Sequence, residues 1–197
     1  MSTILALSDT HLNGHLPDGT YYPEQLIDLI EKADLVLHAG DFVSQDAYNN
    51  LVGLCGNKLW AIQGNSNPII RDSNYQPLKK QTADMVLGIK IGLMHEDANI
   101  GYDFSETYAA DRAASMVSDD TKFVGVDVLV FGHLHEPIIS WSKDSTGKRR
   151  LLICPGPGSN NVFALCHKCS PAPTVALLDI IAGNISGAEI IRISWPK

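Results

Sequence analysis

The strongest constraint on this chain is that its short apolar runs keep stopping on residues that bind cations. "TILALS" (3–8) stops at Asp9, "ADLVLHAGD" (33–41) at Gly40-Asp41, and "KLWAIQGN" (58–65) at Gly64-Asn65. Apolar runs of this length between turn signals read as buried strands. Between the first two, Pro23 suits a first helical turn, and Leu26, Ile27, Ile30 and Ala33 recur at helical spacing. This predicts an amphipathic helix over 23–33. A weaker helical pattern covers 45–53. Strand, helix, strand, helix, strand points to parallel strands joined by helical crossovers.

The pattern then changes. "ADMVLG" and "IKIGLMH" flank Gly88 and predict an antiparallel hairpin. Ala109, Ala110, Ala113, Met116 and Val117 share one face of a helix over 107–118. "VDVLVFGH" is again a buried strand. "PIISWS", "RRLLIC", "PTVALLDI" and "ISGAEIIRI" are strands separated by turns such as "KDSTGK". No repeat, low-complexity tract or linker divides the 197 residues, so 1–197 reads as one domain. The fold class is α/β, a sandwich of two sheets flanked by helices.

Charge limits the partners. The formal net charge is −7, and Lys148-Arg149-Arg150 is the longest basic run, so stable binding to nucleic acid or acidic membranes is not expected. That run follows a turn and reads as solvated hairpin charge. No segment approaches the ~20 apolar residues of a membrane span, and the first residues lack the features of a secretory signal. Asn184-Ile185-Ser186 therefore carries no weight as a glycosylation site. Cys55, Cys154, Cys166 and Cys169 read as reduced thiols in a cytoplasmic protein. Cys166-His167-Lys168-Cys169 is half a zinc knuckle without a second pair. Oligomeric state stays open, self-association included.

The chemistry lies at the strand ends. They supply "SDTH" with Asp9 and His11, "AGD" with Asp41, "GNSN" with Asn65, "LMH" with His95, and "GHLH" with His133 and His135. Strands of an open α/β sheet share a carboxyl edge, where ligand sites form. Singly, each motif is as easily a turn or a helix cap. The ordered series is the specific signal. Carboxylate, imidazole and amide oxygen suit Mn²⁺, Fe²⁺, Ni²⁺ or Zn²⁺. Seven ligands exceed one tetrahedral ion and suit two, which in two-metal hydrolytic sites sit about 3.5–4 Å apart. His133 and His135, one residue apart on an extended segment, can feed two neighbouring ions. Asp9 and His11 can grip one ion from two sides. Gly132 would let the backbone turn sharply beside the centre.

This series resembles the calcineurin-like metallophosphoesterase superfamily. With the small size and the ending "PGPGS … LLDI … EIIRI", it is most similar to the compact bacterial and archaeal phosphodiesterases, relatives of the retromer scaffold subunit. The resemblance implies a four-layer α/β/β/α sandwich and a binuclear centre, with manganese the foremost metal. It places Asp9, His11, Asp41 and His135 on one ion, and Asp41, Asn65, His95 and His133 on the other, with Asp41 bridging. The implied reaction is hydrolysis of a small phosphodiester, or of a monoester, by a hydroxide bridging the metals. The alternative is a non-catalytic scaffold with a vestigial metal site. The complete ligand set favours the enzyme.

Departures from the family pattern matter for the proton on the leaving group. Where many larger members have a histidine after the asparagine, this chain has Ser66 and then Asn67. Asn65 and Ser66 are the candidates for touching substrate phosphate. His95 is followed by Glu96-Asp97 in place of Gly-His. Asp97 is either a weak general acid, a carboxylate supporting a ligand, or a solvated turn residue. Without a good acid, esters with low-pKa leaving groups should turn over best. "PGPGS" has Cys154 before it and an extra Pro-Gly, and reads as a loop shaped behind the metals. His38 either supports a ligand or serves the core. His15 lies in a glycine-rich loop near His11. Trp60, Trp141 and Trp195 read as core or interface area.

Overall fold

The computed structural model describes residues 1–66, 68–95, 123–160 and 172–196. The helix expected over 107–118 lies outside them, as do Asn67, Asp97, Cys166 and Cys169. Among the described residues, ten strands form two five-stranded mixed sheets. The first sheet holds β1 (Ser2–Leu7), β2 (Leu35–His38), β3 (Leu59–Ala61), β9 (Thr174–Ile181) and β10 (Asn184–Arg192), in the order β10-β9-β1-β2-β3. β1, β2 and β3 run parallel, and β9 is antiparallel to β1. The second sheet holds β4 (Gln81–Val86), β5 (Ile89–Met94), β6 (Val128–Val130), β7 (Ile138–Lys143) and β8 (Arg149–Cys154), in the order β4-β5-β6-β8-β7. Here β5, β6 and β8 are the parallel set.

Period-two alternation builds the layers. In β1, Ile4 and Ala6 face the gap between the sheets, while Leu5 and Leu7 face outward. Leu35 and Leu37 of β2, Ile89, Ile91 and Leu93 of β5, and Leu151 and Ile153 of β8 fill the same gap. Both faces of these strands are buried, which is why they read as continuous apolar runs rather than alternating ones.

Among the described residues, two helices cover the outer face of the first sheet. α1 (Glu24–Lys32) buries Leu26 and Ile30, and α2 (Gln45–Cys55) buries Ala47, Tyr48, Leu51 and Cys55. Pro23 sits at the N-cap of α1 with ψ 151°, one residue before the first turn. Outside the second sheet, Met94, Phe123, Leu129, Phe131 and Leu152 form a third apolar layer. Among the described residues no helix is long and apolar enough to cross a membrane.

One surface expectation changes. Arg150 is buried rather than solvated, with Nε donating to Ser142 Oγ at 3.2 Å. Arg149 lies over the ring of Trp141, itself half exposed, and Lys148 pairs with Asp127 at 2.8 Å. Alternation explains Arg150: each residue along β8 points opposite to the one before, so a basic run entering a strand must turn one charge inward.

Candidate metal centre

Each motif residue lies just past the carboxyl end of a parallel strand. The backbone there is unusual. Asp9 (φ 51°), His11 (44°), Asp41 (63°), His133 (71°) and His135 (51°) all occupy the left-handed region. Non-glycine residues enter it at a cost and persist where the surroundings over-determine them. Here the turns hold one another. Asp9 N–H donates to Gly40 O at 3.0 Å, and His11 N–H to Asp41 O at 2.9 Å. The "PGPGS" loop packs behind them, with Gly158 N–H donating to Ser8 O at 2.8 Å and Ser159 Oγ–H to Thr10 O. Gly64 leaves room for Asp41, because a Cβ there would overlap its carboxylate and its amide.

Asp9 and Asp41 form the buried floor. Asp9 Oδ1 is 3.1 Å from His135 Nε2 and 3.9 Å from both His11 Nε2 and His95 Nε2. Asp41 Oδ2 is 3.4 Å from His11 Nε2 and 3.4 Å from His95 Nε2. Ligand atoms of Asp9, His11, Asp41 and His135 all lie within 4.8 Å of one another. On the other side of Asp41, His95 Nε2 is 3.1 Å from Asn65 Oδ1, and the His95 and His133 rings meet edge-on at 5.4 Å. All seven expected residues therefore converge. His11 and His95 are buried with the carboxylates, while His133 and His135 are partly exposed and Asn65 is exposed. The cluster has a dry base and an open rim.

Several neighbours orient the carboxylates. His133 N–H donates to both oxygens of Asp9, at 3.2 and 3.1 Å, and Ser8 Oγ–H donates to Oδ2. Ser66 donates its N–H to Asp41 Oδ1 at 2.9 Å and its hydroxyl to Oδ2 at 2.8 Å. The motif series gave no reason to single out Ser8, because a serine closing a strand has no fixed partner until the turns fold. Gly132 also differs from expectation. It is not at positive φ; its Cβ would lie 2.6 Å from Ser8 Oγ and 2.7 Å from His95 Nδ1. Space is what requires glycine there, and His133 makes the turn.

The electrostatics favour bound cations. Burial pushes the Asp9 and Asp41 carboxyls up, but the facing histidines outweigh it and hold both below the ordinary carboxylate range. Burial would lower His95, yet its hydrogen bond to Asp41 and the two negative charges raise it to about 9. Burial holds His11 below the ordinary imidazole range, against the pull of Asp9 and Asp41. His95 Nδ1 donates to Ala39 O at 2.6 Å, so Nε2 is the atom directed at the carboxylates. A backbone carbonyl fixing the far nitrogen is how histidine is commonly oriented toward a metal. Oxygen and imidazole donors around two ionised carboxylates fit divalent ions of the Mn²⁺ to Zn²⁺ series. Cavities of about 360 Å³ and 320 Å³ open elsewhere, one beside Trp60 and Lys79, the other beside Gln45 and Arg71. No ligand residue lines either of them.

A family model described as the calcineurin-like phosphoesterase superfamily domain matches residues 2–183. A probable metallophosphoesterase of Methanothermobacter thermautotrophicus is 28% identical over 191 residues, covering 96% of this chain and 92% of its own length. A second, from Methanocaldococcus jannaschii, is 30% identical over 162 residues, covering 79% and 72%. Among solved structures, Vacuolar Protein Sorting 29 of Cryptosporidium parvum superposes with a TM-score of 0.61 at 19% identity, covering 98% of each chain. YfcE, a phosphoesterase from E. coli, gives 0.53 at 16% identity, covering 95% and 98%. At these identities the structural matches speak for the fold.

Proposed function

The chain belongs to the calcineurin-like phosphoesterase superfamily, and from that premise we propose that it is a phosphodiesterase working with two divalent ions, manganese foremost. The observation that carries this reading is Asp41 Oδ2, equidistant at 3.4 Å from His11 Nε2 and His95 Nε2. One carboxylate oxygen between two imidazoles fits a ligand shared by two ions. Asp9, His11, Asp41 and His135 would hold one; Asp41, Asn65, His95 and His133 would hold the other. Such ions supply positive charge for the phosphate oxygens and acidify bound water.

The chain's own residues do the rest. Ser66 holds both Asp41 oxygens, which supports a role in orienting the shared carboxylate beside any contact with substrate. The exposure of Asn65 on the rim supports a role in meeting a phosphate oxygen through its amide. The buried floor keeps water from the backs of Asp9 and Asp41, which strengthens their hold on charge. For the leaving alkoxide, Asp97 is proposed as a weak general acid from its sequence position alone.

The test pairs metal content after Mn²⁺ loading with hydrolysis of bis-p-nitrophenyl phosphate and p-nitrophenyl phosphate. The wild type should retain two ions per chain and favour the diester. Asp41→Ala should lose activity by on the order of a hundredfold or more. His133→Ala and His135→Ala should each lose one ion, at different positions. A wild type that binds no metal and cleaves neither ester would sink the enzyme reading and leave the scaffold. A faster monoester rate would reverse the substrate preference.

A further inference from the structure

We propose that His38, outside the ligand set, is a positioning residue that ties the Asp9–His11 turn to the Gly40-Asp41 turn and thereby sets metal affinity. The proposal rests on the metal-binding reading above. His38 closes β2 and is fully buried. Gly40 N–H donates to its Nδ1 at 3.2 Å. An amide nitrogen can only donate, so Nδ1 is the bare nitrogen and Nε2 carries the proton. Nε2 is 3.2 Å from Thr10 Oγ1, so the ring donates to that hydroxyl. The same ring stacks on Phe42 with centroids 3.6 Å apart and planes 19° apart.

One imidazole thus touches the residue between Asp9 and His11, the residue before Asp41, and the residue after it. The three ligands it brackets are among those at positive φ. Turns in that state keep their geometry only under outside restraint, and His38 restrains two of them at once. Any buried imidazole must pair its nitrogens; what sets His38 apart is that both partners, Thr10 and Gly40, lie in the turns that carry ligands. Loss of a partner that orients metal ligands typically weakens metal binding about 10–100-fold.

Two substitutions delete the Nε2–Thr10 bond from its two ends and leave the Gly40 bond in place. His38→Asn keeps an acceptor near the Nδ1 position and removes the Nε2 donor. Thr10→Val removes the hydroxyl at nearly constant volume. Mn²⁺ affinity is measured by calorimetry at fixed pH on the full chain, with melting in chelator alongside. Each variant should bind Mn²⁺ about tenfold more weakly, and the double variant should be no worse than the weaker single, because both delete one bond. Affinities within about twofold of wild type, with only the chelated melting point lowered, would make His38 a core residue and overturn the proposal. So would additive losses in the double variant. Should His38→Asn fail to fold, Thr10→Val decides alone by the same criterion. A wild type that binds no Mn²⁺ defeats the metal reading and this proposal together; unchanged variants of a protein that does bind it defeat only the second.

Discussion

Side chains at this centre are aimed by backbone states that most residues avoid. Asp9, His11, Asp41, His133 and His135 are at positive φ, and glycine is reserved for positions where a Cβ would collide. Gly132 shows the distinction. A Cβ there would sit 2.6 Å from Ser8 Oγ, 2.7 Å from His95 Nδ1 and 2.8 Å from Ala39 O. Gly132→Ala must therefore displace the hydroxyl on Asp9, the ring of His95, or the carbonyl that orients it. We expect about 1–3 kcal/mol of lost stability in urea unfolding. Mn²⁺ affinity should fall at least about tenfold. Wild-type affinity in the alanine variant would show that the neighbours yield freely. The ligand types and their order were legible in the sequence because each sits at the end of an apolar run. The reason for Gly132 was not. A motif cannot tell a glycine needed for φ from one needed for space, since the atoms it must avoid come from Ser8, Ala39 and His95, far away in the chain.

At the scale of elements, the strands were legible wherever both faces are buried, as with "TILALS" and "VDVLVFGH". Their ends were less so. The run 58–65 yields only three strand residues, Leu59–Ala61, because after the Ile62 N–H bond to His38 O at 3.1 Å the chain leaves β2, and Gln63 N–H turns to Lys79 O at 2.8 Å. Arg150 escaped for a related reason: strand pairing of β8 with β7 decides which of three consecutive basic residues turns inward. α2 shows local and global demands agreeing. Ser44 caps it, its Oγ accepting from Ala47 N–H at 3.3 Å, three residues after Asp41. Ser44→Ala should cost about 1 kcal/mol in urea unfolding. No measurable loss would mean that packing of Tyr48 and Leu51 holds the first turn unaided.

For the whole molecule, the centre couples charge to stability. His95 is raised from its ordinary 6.5 to about 9, so in metal-free protein its contribution is full below pH 6.5 and fades as pH rises through 9. Asp9 and Asp41 lie below their ordinary 3.8, so theirs is present above that pH and fades as acid reaches the lower folded values. His11 and the buried His38 are held below their ordinary 6.5, so they take stability away as pH falls beneath it. Melting in chelator should therefore peak near about pH 6.5 and decline toward both 4 and 9. A flat profile from 6.5 to 9 would contradict the charged pairing of His95. Metal should add to this by mass action, about 2.7 kcal/mol at a hundred times its dissociation constant. Chelation should lower the melting temperature accordingly, and an unchanged value would mean no ion binds the folded state preferentially. The bond from His133 N–H to Asp9 carries a last consequence. It joins residues 124 positions apart, each just past a strand of a different sheet, so the centre exists only after most of the chain has been threaded into place. An ion held there would act as a late-closing buckle around a very long loop. It should slow the opening of the finished protein far more than it hastens assembly.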